Sequence, residues 1–254
     1  MIPKKIHYCW FGRGNMPELA VQCINSWKRY LSDYELILWN EDNFDININD
    51  YVREAYEKKK YAFVTDYVRL YTLYHYGGIY MDTDVEILKS LDKFRVHRAF
   101  TGCQEEKMCV TGLIGAEKNH PWIKRLLDYY DNKKFILKNG KIDKTPNTAI
   151  ITQITIDFYG WVPKNEHQVL EDDIHIYPAD FFCAKDWRTG SIFVTEQTYA
   201  IHHFAGSWIT DEERKISMRK EKIKKYITKF IGEKGFDVLL KARNNILNTI
   251  DEKK

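Results

Sequence analysis

Residues 61–84 read YAFVTDYVRLYTLYHYGGIYMDTD. Tyr61 to Tyr76 reads as a helix, and Gly77-Gly78 stops it. Ile79 to Met81 reads as a short apolar strand that runs directly into Asp82-Thr83-Asp84. A strand that delivers two carboxylates, one residue apart, to a sheet edge offers a seat for one hard divalent cation. Mg²⁺ or Mn²⁺ held by few carboxylates completes its shell with water and substrate phosphates, which suits a nucleoside diphosphate. Such a cation neutralises charge building on a leaving diphosphate. Taken alone, Asp-x-Asp after a strand is a common polar turn.

Upstream, Asp66 and Arg69 lie three residues apart and share a helix face. The helix around them is mostly apolar or aromatic, so this charged pair is partly buried and has a reason to be there. Further upstream, Ile6 to Phe11 reads as a strand ending at Gly12-Arg13-Gly14. Pro17 to Leu31 reads as an amphipathic helix, Tyr34 to Trp39 as a strand and Asp50 to Lys60 as a charged helix. Strand, helix, strand, helix, helix, strand argues for a parallel α/β sheet. Ligands gather at the carboxyl ends of strands in such sheets, where both Gly12-Arg13-Gly14 and Asp82-Thr83-Asp84 fall.

Downstream, Ala99 to Gln104, Leu113 to Ala116, Ile174 to Tyr177 and Tyr199 to Phe204 read as strands. His120 to Asp131 and Asn147 to Phe158 read as helices. Asp172-Asp173 reads as a solvated turn before a plain strand. If Tyr199 to Phe204 is a strand, His202 and His203 point to opposite faces, and only one can meet a metal. No repeat or linker marks a boundary before residue 210, so residues 1–210 are expected to form one domain. Residues 211–254 are expected to form a helical tail. From Arg214 to Ile231 the tail interleaves Arg214, Lys215, Arg219, Lys220, Lys222, Lys224, Lys225 and Lys229 with Ile216, Ile223, Ile227 and Phe230. This is a basic amphipathic helix, suited to packing on the domain or to leaning on an anionic membrane surface.

Composition narrows the classes. The chain has 254 residues, 44% hydrophobic and 15% aromatic, which excludes a disordered chain. Its formal net charge of +3 argues against nucleic acid as the main partner. Five scattered cysteines without a CxxC argue against a disulfide scaffold or zinc knuckle. No uncharged apolar run reaches transmembrane length, and the first ten residues do not read as a signal peptide. The expectation is a cytoplasmic protein, peripheral on the inner face of the membrane if its basic helix binds there.

The stretch Ala62 to Asp84 resembles the signature of glycosyltransferase family 32, the sugar transferases with a DXD motif that include bacterial capsular-polysaccharide enzymes. Its Asp-x-x-Arg and Gly-Gly-x-Tyr-x-Asp-x-Asp spacing is also similar to that of the clostridial glucosylating toxins. Ile2 to Gly12, Ser26-Trp27 and Trp39-Asn40 are similar to the same family, so the resemblance is dense over roughly residues 1–95. It implies an α/β fold of GT-A type: one Rossmann-like nucleotide-sugar-binding domain, followed here by the helical tail. Carried over by residue, Trp10 stacks on the base and Asn40 lines the base or ribose pocket. Asp66 and Arg69 hold sugar hydroxyls and diphosphate. Asp82 touches ribose or sugar and the metal, and Asp84 is the main ligand of Mn²⁺ or Mg²⁺. His203, with His202 as the fallback, completes the metal shell. Ser207 and Trp208 reach the diphosphate and the leaving oxygen. Thr111 to Glu117 and Thr145 to Thr148 sit where the family places donor-sugar and acceptor contacts.

The activity this implies is retaining transfer of a hexose or N-acetylhexosamine in capsule or exopolysaccharide synthesis. The donor is a UDP-sugar by preference, or GDP-mannose. The acceptor is a glycan or polyprenyl-linked oligosaccharide. Two other readings use the same residues. A phosphatase of the haloacid-dehalogenase kind also places Asp-x-Asp after an apolar strand, but Glu86 fills its fifth position here and the motif follows two strands. A catalytically silent nucleotide-sugar or glycan-binding module would have no need to keep Asp66, Arg69, Asp82 and Asp84 together.

Overall fold

The computed structural model describes residues 1–105, 108–109 and 112–206, together with Thr228 and Gly232. The chain divides into two units, Met1–Ala205 and Gly206–Lys254. The expected basic helix of the second unit, and Ser207 and Trp208, lie outside the described residues.

In the first unit, β1 (Lys5–Cys9), α1 (Glu18–Tyr30), β2 (Glu35–Trp39), α2 (Asp50–Glu57), α3 (Tyr61–Tyr76) and β3 (Gly78–Met81) follow in the expected order. β4 (Val85–Ile87), β5 (Ala99–Glu105), β6 (Met108–Cys109), β7 (Leu113–Ala116), α4 (Pro121–Asp128) and α5 (Asn147–Tyr159) come next. β8 (Gln168–Leu170), β9 (Ile174–Tyr177), α6 (Ala179–Phe182) and β10 (Ala200–His202) complete the unit. The main sheet has the order β2-β1-β3-β7-β5-β9-β8, with β6 on β5. A second sheet pairs β10 with β4. The α/β expectation therefore holds, and β1, β2 and β3 are parallel. The later strands are mixed: β7 is antiparallel to both β3 and β5, and β8 is antiparallel to β9. β6 and β7 both run back along β5, β6 beside its end and β7 beside its start, and a direct return of this kind is antiparallel.

Side chains on β3 alternate between two cores, as a strand buried on both faces requires. Tyr80 joins the cluster formed with α2, α3, α4 and α5. Ile79 and Met81 join the cluster formed with α1, β4 and Phe94. The Gly77-Gly78 stop is demanded by space as well as by backbone. Gly77 and Gly78 have φ of +64° and +119°. A Cβ on Gly78 would lie 2.7 Å from the Lys5 carbonyl oxygen, and one on Gly77 2.7 Å from the Lys118 amide nitrogen.

His7, fully buried on β1, locks this corner. Trp39 Nε1–H donates to His7 Nδ1 at 3.1 Å, so the remaining His7 proton is on Nε2 and donates to the Gly77 carbonyl at 2.8 Å. Burial lowers its pKa from 6.5 to about 4. A base with a depressed folded-state pKa contributes stability that is complete above the unfolded value and lost as pH falls from 6.5 towards 4. At 1.36 kcal/mol per unit the loss is about 3 kcal/mol. Asp66, raised to about 6 chiefly by burial, runs the other way and gains stability as pH falls. The His7 contribution is therefore read by difference. In urea denaturation, wild type is expected to exceed His7→Gln by less at pH 4.5 than at pH 8. A gap independent of pH would show that His7 is not held neutral.

Candidate functional site

Helix α3 packs against β1 and β3, so its inward face lies below the carboxyl ends of those strands. Arg69 projects from that face with its side chain 5% exposed. Its guanidinium reaches Asp66 Oδ1 at 3.0 Å and Asp82 Oδ1 at 3.4 Å and lies 4.7 Å from the centre of the Tyr80 ring. Asp82 Oδ1 also accepts from the Tyr80 hydroxyl at 2.8 Å. Against this network, burial still lifts the Asp66 pKa to about 6, Arg69 lowering it and Asp82 raising it. Asp66 thus changes charge near neutral pH.

The second half of the site comes from the small sheet. The chain turns at Asp82-Thr83-Asp84 into β4, and β10 pairs antiparallel to it with His202 opposite Val85. Helix α1 pins β4: Trp27 Nε1–H donates to the Val85 carbonyl at 2.6 Å, and Ser26 Oγ accepts from Ile87 N–H at 2.8 Å. Ser26-Trp27 therefore supports the turn. Asp84 Oδ2 accepts from Ala205 N–H at 2.8 Å. His202 Nε2 lies 3.3 Å from Asp84 Oδ1 and 3.9 Å from Asp82 Oδ2. One ligand atom from each of Asp82, Asp84 and His202 lies within 4.8 Å of the others.

This corrects the expectation for the histidines. His203, expected on the metal, turns to the other side of the strand end and meets Glu86 Oε2 at 2.9 Å through Nε2. His202, the fallback, faces the aspartates. The two do point to opposite faces; register with β4 decides which one faces Asp84. Burial opposes charge on His202, but Asp84 beside it raises its pKa to about 10. In return the imidazolium outweighs burial at Asp84 and holds that carboxyl below the usual range. His202 Nδ1 is buried with no hydrogen-bond partner.

Trp10 and Asn40 follow the paired ends of β1 and β2, where Trp10 N–H donates to the Trp39 carbonyl at 3.0 Å. The Trp10 indole N–H is used within the loop, donating to the Gly14 carbonyl at 2.6 Å, which leaves the ring and not its nitrogen for a ligand. Asn40 Oδ1 accepts from Asp42 N–H at 2.8 Å, closing the turn after β2. Glu41, which the sequence did not single out, ties the two loops together. Its Oε1 accepts from Gly12 N–H at 2.6 Å and from the Tyr56 hydroxyl at 2.9 Å.

Asn147 and Tyr130 are further residues of interest. Asn147 opens α5, is 5% exposed, and influences Asp66. Both its side-chain atoms, and the buried Tyr130 hydroxyl, lack a hydrogen-bond partner at normal distance. Buried polar groups left open beside a charged pair are what a hydroxyl-rich ligand would satisfy. Nothing in the spelling Pro146-Asn147-Thr148 shows this. Of the other weakly expected stretch, Thr111 lies outside the described residues and Leu113 to Ala116 is strand β7.

Residues 17–101 match the family described as glycosyltransferase sugar-binding region containing DXD motif. Over those residues the chain is similar to that family. The matched segment contains Asn40, Asp66, Arg69, Asp82 and Asp84. The chain is similar to inositol phosphoceramide mannosyltransferase 3 of Schizosaccharomyces pombe, 30% identical over 126 residues, covering 48% of this chain and 35% of that protein. It thus spans about a third of the yeast protein's length. An uncharacterized glycosyltransferase of Acanthamoeba polyphaga mimivirus is 24% identical over 220 residues, covering 82% of this chain and 84% of that protein. Among solved structures, PaToxG glycosyltransferase is similar at 20% identity and a TM-score of 0.46, covering 61% of this chain and 69% of that one.

Proposed function

We propose that this protein transfers a sugar from a nucleotide-sugar donor to a hydroxyl acceptor, with a divalent cation held by Asp82, Asp84 and His202. The observation that carries this reading is the convergence of those three side chains beside the buried Asp66–Arg69 pair. Two carboxylates and one imidazole fit Mn²⁺ better than the all-oxygen preference of Mg²⁺. When bound, the cation supplies charge neutralisation at the diphosphate.

The chain's own groups do the rest. Arg69 provides a fixed guanidinium fork towards the donor and keeps Asp82 in place. Asp66, with Asn147 and Tyr130, presents acceptors and donors suited to sugar hydroxyls. Trp10 offers a ring face and Asn40 a turn at the strand ends where a base would lie. Ser207 and Trp208 are assigned the leaving oxygen on resemblance alone. UDP-hexose remains the preferred donor, and the mannosyltransferase relative keeps GDP-mannose beside it. Retention of configuration and a role in capsule or exopolysaccharide synthesis on a glycan or polyprenyl-linked acceptor complete the proposal. So does a cytoplasmic location with the basic tail on an anionic inner leaflet. No helix among the described residues is long and apolar enough to cross a membrane.

The test is nucleotide release from UDP- and GDP-sugars with Mn²⁺ present, comparing His202→Ala with His203→Ala. His202→Ala is expected to raise the Mn²⁺ concentration for half-maximal rate at least about tenfold. His203→Ala should leave it within about twofold. Equal effects of the two changes would refute the assignment of His202. Silence of the wild type with every donor, and no Mn²⁺-dependent binding of UDP or GDP, would refute the function.

A further inference from the structure

The end of the sheet opposite the DXD turn carries its own cluster of side chains. β5 and β9 are parallel to one another, and two antiparallel steps through β7 make them parallel to β3 as well. Gly78, Ala116, Ala99 and Ile174 stand level across these strands. Asp82 is four residues beyond Gly78, about 13 Å along the strand direction. His97, Asp173 and His175 flank Ala99 and Ile174, at the far end.

We propose that His97, Asp173 and His175 form a second metal site, distinct from the DXD site, that takes a borderline transition cation of the Zn²⁺ type. One ligand atom from each lies within 4.8 Å of the other two. Two imidazoles and one carboxylate are the donor set that such cations favour over Mg²⁺ or Ca²⁺. With three protein ligands, water would take the fourth position.

Each ligand is also held from behind. Asp173 Oδ1 faces His175 Nε2 at 3.0 Å across the site, and behind it Oδ2 accepts from Arg98 N–H at 2.8 Å. His175 Nδ1 is 3.0 Å from His167 Nε2, and His97 Nε2 is 2.8 Å from the Tyr177 hydroxyl. Imidazole ligands characteristically use their second nitrogen in this way. In the metal-free arrangement His175 Nε2–H faces Asp173 and His167 Nε2–H faces His175 Nδ1. Binding through His175 Nε2 would move its proton to Nδ1, with His167 shifting its own proton from Nε2 to Nδ1 so that its Nε2 accepts from His175.

The rings of His97 and His175 lie face to face, 3.5 Å between centroids and 19° between planes. Two imidazoles sharing one cation cannot stay parallel at that distance, because the metal must lie near the plane of each ring. His97 must swing about its Cβ–Cγ bond. It is part-exposed just before β5, and the swing would exchange its contact with the Tyr177 hydroxyl for the cation. The turn carrying Asp173 was read from sequence as merely solvated. Its backbone is such a turn, with φ of +60° and +58° at Asp172 and Asp173, but the Asp173 carboxylate is engaged.

The test uses the tag-free full-length chain, stripped with chelator and titrated with Zn²⁺ against a chromogenic competitor. It does not rest on the transferase reading. Asp84→Asn serves as the background so that the DXD site does not contribute. In that background one equivalent of Zn²⁺ is expected. His97→Gln and His175→Gln should each weaken its binding at least about tenfold, and His167→Gln should weaken it with stoichiometry kept. Co²⁺ should give a visible absorption band in the background protein that His97→Gln removes. Should His175→Gln fail to fold, His97→Gln on the part-exposed residue decides. Absence of a bound equivalent in the Asp84→Asn protein, or an affinity unchanged by His97→Gln, overturns the proposal.

Discussion

Asp84→Asn is expected to lower donor cleavage by a factor on the order of 10²–10³, the range for losing one group that stabilises developing charge. Asp84 is the carboxylate with the fewest alternatives. Its Oδ2 is committed to Ala205 N–H, and its Oδ1 stands 3.3 Å from His202 Nε2. Asp82, by contrast, divides its two oxygens between Arg69 with Tyr80 and the His202 side. Asparagine preserves the shape but removes the charge that a divalent cation needs, and its amide group cannot accept from Ala205 and face the cation at once. The loss should therefore fall on kcat and on the Mn²⁺ concentration required, with far-UV circular dichroism unchanged. Asp42→Asn, on an exposed acid paired with Arg13, is the control and should retain activity. An Asp84→Asn enzyme with wild-type turnover at wild-type Mn²⁺ would mean that the Asp-x-Asp is only a polar turn after all.

The residues legible from sequence are those whose relation is local. Asp66 and Arg69 are one helix turn apart, and Asp82 and Asp84 bracket one residue after a strand. Backbone geometry alone brings each pair to one place. The Gly77-Gly78 stop was legible for the same reason, and the structure adds why both glycines are needed. What could not be read depends on distant register. His202 and His203 were correctly expected on opposite faces. Choosing between them requires β4, a three-residue strand that gives no periodic signal and begins immediately after Asp84. The antiparallel course of β7 follows from pairing on both of its sides rather than from any feature of Leu113 to Ala116. Asn147, Tyr130 and Glu41 were invisible because their meaning lies in unpaired or shared polar atoms, which only packing creates. The same holds at the far end of the sheet. Asp173 reads as a turn residue, and His97 is 76 positions away, yet strand pairing places them side by side.

Arg69→Met should destabilise the fold by about 3–5 kcal/mol at pH 8, the cost of breaking a buried ion pair by removing one partner. Arg69 is the cation between Asp66 and Asp82, and its guanidinium also rests on the Tyr80 ring. Methionine fills much of the stem volume, so the deficit is electrostatic: two carboxylates in a buried setting without their counter-charge. The pH dependence gives the signature. Asp66 is already raised to about 6 by burial with Arg69 present. Without Arg69 it rises further, so the folded state takes up its proton more readily than the unfolded chain. Stability of the variant should therefore increase as pH falls from 8 towards 5, and the gap to wild type should narrow. Adding Asp66→Asn should recover part of the loss at pH 8 and flatten that dependence. Arg69→Lys should recover charge but not the fork that reaches both carboxylates, giving intermediate stability and little activity. Urea denaturation of the four proteins at pH 5 and pH 8 measures all of this. A deficit for Arg69→Met that is the same at both pH values would show that Arg69 acts through packing and not through the two carboxylates it joins.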